Sequence, residues 1–64
     1  MMVSMGLKED FIKVYSDLPI AIRGQIVSVL GGEPMSWNAV YIEVVNSTKK
    51  SETILSQLKR LGII

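Results

Sequence analysis

The run Gly31-Gly32-Glu33-Pro34, midway along the chain, does most to limit the fold. Two glycines lack a Cβ and the proline lacks an amide hydrogen, so no regular element is expected to run through all four. The chain therefore divides into two halves that meet at this corner. Pro34 neither donates to a strand ladder nor continues a helix. Ser36 stands just before the periodic run Trp37, Val40, Tyr41, Val44 and Val45, where an N-cap belongs. Gly31 suits the left-handed position just past a helix. On this reading Gly31 and Gly32 close one helix, and Glu33-Pro34 steer the chain into the next. Paired glycines can also cradle a phosphate at a helix N-terminus. Here Pro34 removes an amide donor, Glu33 repels anions and no Lys-Ser/Thr pair follows, so the stretch reads as a corner and not a site.

On either side of the corner the spacing of apolar residues is helical. Leu7, Phe11, Val14, Tyr15 and Leu18 form one stripe, with Lys8, Glu9, Asp10 and Lys13 on the opposite face, as in an amphipathic helix. Pro19 disfavours helical geometry at Leu18, so that helix should end near Asp17. The segment 19–30 is contested. Asp17 and Pro19 suit a helix start, and Ile22, Ile26, Val29 and Leu30 have helical spacing. Against this stand the β-branched Ile20, Ile22, Ile26, Val27 and Val29, and Gly24 in the middle. The last helix carries Ile54, Leu55, Leu58 and Leu61 on one stripe, with Thr48 or Ser51 as its cap and Gly62 beyond its end. Ile63 and Ile64 are apolar past that end and should fold back on the core. The resulting expectation is an all-α domain, a small orthogonal or bundled array of four short helices at about 7–17, 19–30, 36–46 and 51–61. The alternative is an α+β chain with a strand at 24–30 in place of the second helix.

Sixty-four residues make one domain, here 7–64, behind a flexible leader at 1–6 in which Met1, Met2 and Met5 all offer starts. A chain this short buries only about 60% of the surface its unfolded form exposes. Disulfides, metals or a partner subunit commonly make up the deficit. Cys and His are both absent, which removes disulfides and the usual zinc ligands. Yet 48% of the residues are hydrophobic, so a homodimer is the expected support. The chain has no apolar run of membrane-spanning length and no secretory signal, and a cytoplasmic location follows as the expectation. Asn46-Ser47-Thr48 matches a glycosylation sequon; without secretion it reads as a polar loop between helices.

Catalysis is not expected. His, the usual acid–base residue near neutral pH, is missing, and so is any thiol nucleophile. The carboxylates Glu9, Asp10, Asp17, Glu33, Glu43 and Glu52 show no pair spaced for acid–base work. No cofactor, metal or small-molecule ligand is indicated, and a chain of this size has little volume for a ligand cleft.

Two groups of residues remain as candidates for binding. The chain is net +1, but residues 1–43 carry three bases against five acids, while residues 44–64 carry four bases against one acid. In the basic end Lys49, Lys50, Thr53, Ser56, Gln57, Lys59 and Arg60 form the polar face of the last helix. Such side chains donate to phosphates and base edges, and they also make an ordinary solvated face. The second group is an apolar surface containing Ile20, Arg23, Val27, Trp37 and Tyr41. In a helix at 19–30, Arg23 would sit within the apolar arc, snorkelling or paired with Glu43 or Asp17. Trp37 and Tyr41, one turn apart, suit either a core or an interface.

The strand alternative has a further consequence. A strand at 24–30 followed by helices at 36–46 and 51–61 resembles, in element order, the ribbon-helix-helix repressors. That resemblance implies dimers that pair strands across a two-fold axis and insert them in the major groove. Here the strand would present Arg23, Gln25, Val27 and Val29, a face half of which is apolar and unsuited to reading bases. The sequence thus points to a non-catalytic, self-associating helical interaction module. Its alternative is a dimeric DNA-binding protein, of helix-turn-helix or ribbon-helix-helix type, that uses residues 49–60.

Overall fold

The stripe beginning at Leu7 belongs to α1, Met2–Asp17, in a computed structural model that describes residues 2–30 and 32–64. The helix stops where Pro19 requires, and the Leu18 amide closes it on the Tyr15 carbonyl at 3.1 Å. A single 3₁₀ turn, Ile20–Ile22, follows. The chain then forms strand β1, Ile26–Leu30, and returns antiparallel as β2, Glu33–Ser36. Helices α2, Trp37–Val45, and α3, Lys49–Arg60, complete the fold. The order α-β-β-α-α corrects the four-helix expectation: three helices and a two-stranded hairpin replace it. The strand weighed at 24–30 exists in part, but it pairs with a second strand that neither expectation contained.

Turn chemistry and β-branching explain the correction together. Gly31-Gly32 is a two-residue connection between paired Leu30 and Glu33, the length that selects mirror-image turns with positive φ. Gly32 has φ +81°; Gly31, expected in the left-handed region, lies outside the described residues. Pro34, expected to be incompatible with a ladder, faces Val29 inside one. In an antiparallel pair, every second residue turns its N–H and C=O away from its partner strand. Having no N–H to exchange, Pro34 must occupy such a position, which is tolerated on an edge strand. By the same alternation Ser28↔Met35 and Leu30↔Glu33 are the hydrogen-bonded pairs. A bulge between Ile26 and Ser28 adds Val27 to β1, which bends the strand at that point.

The hairpin also completes the start of α2. The Trp37 amide donates to Gln25 O at 3.1 Å and the Asn38 amide to Arg23 O at 3.0 Å. Ser36 Oγ accepts from the Ala39 amide at 3.1 Å, as expected of the N-cap. Three amides that a helix N-terminus leaves without internal partners are thus satisfied. At the other end of α2, Ser47 N–H bonds Val44 O and Thr48 N–H bonds Glu43 O. This is a Schellman closure with Ser47 at φ +52°. A second closure ends α3, where Gly62 (φ +78°) donates to Lys59 O and Ile63 to Leu58 O. It turns Ile63 and Ile64 back onto the core.

That core joins Phe11 of α1, Met35 of β2, Val40 and Val44 of α2, and Ile54, Leu55 and Leu58 of α3. Thr48 caps α3, accepting from the Ser51 amide at 3.1 Å and donating to Glu43 Oε1 at 2.6 Å. Ser36→Ala should cost about 1 kcal/mol. Thr48→Ala should cost somewhat more, because it also frees the Glu43 carboxylate. Urea midpoints compared at constant slope test this; unchanged midpoints in both variants would remove the capping assignments.

Candidate functional site

The four aromatic residues of the chain, Phe11, Tyr15, Trp37 and Tyr41, form one connected stack between α1 and α2. Tyr15 lies on Tyr41 with centroids 4.3 Å apart and planes at 11°. Phe11 contacts Tyr15 at 6.1 Å and Trp37 at 5.8 Å. The i, i+4 spacing in each helix puts both members of a pair on one face, so two pairs meet across the helix contact. The Tyr15 hydroxyl donates to Asn38 Oδ1 at 2.6 Å, which satisfies the polar end of a half-buried ring.

Arg23 extends this stack. Its guanidinium carbon lies 4.6 Å from the Tyr15 centroid, within cation–π range. Its Nη2 donates to the Ser16 carbonyl at 3.3 Å. Arg23 Nε is buried without a hydrogen-bond partner among the described residues. The pair with Glu43 or Asp17, weighed against snorkelling, does not form among the described residues. Glu43 is engaged by Thr48, and Arg23 follows a 3₁₀ turn and does not lie on a helical arc. With the strand established, an aromatic face replaces a carboxylate as the guanidinium's neighbour.

Of the proposed interface residues, only Ile20 is largely exposed, at 82%. Arg23, Trp37 and Tyr41 take part in the stack, and half-buried Val27 packs against the core. Sequence reasoning missed other exposed apolar positions. These are Ile26 and Val29, both 56% exposed on β1, Ile42 at 58% and Val45 at 42% on α2, and Leu61 at 65% after α3. Alternation along β1 misleads here, because polar Ser28 is the buried residue, bonded to Gln57, and apolar Val29 turns outward.

On α3, Lys49, Lys50, Thr53, Ser56, Lys59 and Arg60 are exposed. Lys49, Thr53, Ser56 and Arg60 follow one line at spacings of four, three and four. Lys50 Nζ stands 3.3 Å from Glu33 Oε1 at the hairpin, an exposed contact of small energetic weight. Gln57 turns away from this line: its Oε1 accepts from the buried Ser28 Oγ at 2.7 Å and ties α3 to β1. No group of three or more acidic side chains converges on a metal-sized site among the described residues. Nor is any described helix long and apolar enough to cross a membrane. No family model, curated protein or solved structure matches the chain.

Proposed function

We propose that the protein is a non-catalytic interaction module that works as a homodimer. The observation that supports this most strongly is the exposure of Ile20, Ile26 and Val29 within one short stretch of a chain with a small core. The aromatic residues that would otherwise anchor an interface are engaged within the chain, so the free apolar surface is aliphatic. A cytoplasmic site of action is part of the proposal and fits a fold that uses no disulfide. The test is mass by light scattering over a dilution series. A dimer at tens of micromolar is expected; a monomer persisting to the highest soluble concentration would end this reading.

A second reading, binding to duplex DNA, is favoured by one specific feature. α2 and α3 are joined by the three residues Asn46–Thr48, and the second helix exposes Lys49, Lys50, Lys59 and Arg60 against Glu52 alone. A helix-turn-helix module presents its second helix to the major groove. The ribbon-helix-helix mode is disfavoured, since the exposed side chains of β1, Ile26 and Val29, are apolar and make no hydrogen bonds to base edges. If α3 binds DNA, affinity for a random duplex should fall steeply between about 50 and about 200 mM salt. Lys49→Ala should lower the salt slope by about one for each phosphate it no longer neutralises. No binding at the lower salt with tens of micromolar protein would remove this reading.

A further inference from the structure

The two edges of the hairpin differ. Pro34 turns its missing N–H toward the open side of β2, so that edge lacks a donor at its centre. The open side of β1 has no such block. Val29 faces Pro34 at a position without ladder bonds, so its N–H and C=O point outward. Among the described residues neither group meets another backbone group. The Val29 side chain is more than half exposed. No charged residue lies between Arg23 and Glu33. Charges are a common device by which natural proteins keep an edge strand from pairing.

We infer that β1 pairs antiparallel with β1 of a second copy about a two-fold axis through Val29, giving a four-stranded sheet in the order β2-β1-β1-β2. This deepens the homodimer reading and rests on it. A residue with both backbone groups on the open edge can exchange two hydrogen bonds with its own symmetry mate. The two Val29 side chains then stand directly opposite each other as an apolar cross-strand pair. Two uncharged edges meet without like-charge repulsion. The outer strands of the resulting sheet are both β2, whose free edges Pro34 interrupts, so assembly stops at two chains. An isologous contact of this kind closes on itself. The bulge at Val27 confines regular pairing to the Ser28–Leu30 end of β1, which also opposes filament growth.

The experiment compares the wild-type chain with Val29→Lys and Ile42→Lys, both at exposed positions, by sedimentation velocity. Circular dichroism of dilute samples checks that each variant is folded. In the wild type, hydrogen exchange at the Val29 amide is followed against protein concentration. The expected result is a dimeric wild type, a folded monomeric Val29→Lys and a dimeric Ile42→Lys. Val29 amide exchange should slow by at least tenfold as the dimer forms. A Val29→Lys variant that stays dimeric, or a wild-type dimer whose Val29 amide gains no protection, overturns edge pairing and leaves self-association standing. A monomeric wild type overturns both. If Val29→Lys fails to fold, the wild-type exchange measurement alone decides.

Discussion

Phe11→Ala should remove a large share of the stability of the chain. Phe11 is completely buried and is the one ring that touches both Tyr15 and Trp37. Removing a buried phenyl group generally costs about 3–5 kcal/mol, through lost transfer energy and the cavity left behind. A domain of this length is expected to have only about 3–10 kcal/mol of total stability. The loss therefore consumes a large share of it. The neighbours cannot collapse freely, because Tyr15 is held by Asn38 and stacked on Tyr41. Thermal melts followed by far-ultraviolet circular dichroism should show a transition lowered by tens of degrees or absent. Phe11→Leu, which fills part of the space, should recover a cooperative melt. An alanine variant that melts like the parent would mean that the aromatic stack does not hold α1 to α2.

Gly32→Val should be the next most damaging change. At φ +81° Gly32 occupies a region that a β-branched residue enters only under strain, at a cost of about 1–3 kcal/mol. No atom lies within 4 Å of an added Cβ, so the effect is one of backbone conformation and not of collision. Gly24 provides the control. An added Cβ there also meets nothing within 4 Å, and its φ is not positive. Gly24→Ala should be neutral or stabilise by up to about 1 kcal/mol, by restricting the unfolded chain. Urea unfolding of both variants separates the two effects. Equal stabilities would show that position 32 does not carry the turn.

Much of the second half of the molecule is legible residue by residue. Ser36 caps α2, Thr48, one of the two caps weighed, caps α3, Gly62 ends α3, and Ile63 and Ile64 return to the core. All of these are local signals, in which a side chain or a dihedral acts on backbone within a few positions. The segment 19–30 misleads because Gly31 alone suggests a helix end and Pro34 alone suggests a strand breaker. Taken together, two glycines followed by a proline two residues on are compatible with a tight hairpin whose outer edge carries the proline. The candidate binding face on α3 is legible from its periodicity, except for Gln57. Its partner Ser28 lies 29 residues away on β1, and no pattern along the chain relates the two.

The sequence by itself determined the helix periods, the caps and the absence of thiol or imidazole chemistry, because each depends on residue type and short spacing. Tertiary structure decided the rest. It chose strand over helix for Ile26–Leu30, where β2 supplies the partner and Gln25 and Arg23 give their carbonyls to α2. It drew Trp37 and Tyr41 into a stack with α1 and left Val29 on an open edge. The physical reason is that a strand has no hydrogen-bonded identity of its own. Which edge is satisfied and which is left open depends on the segments the fold brings beside it.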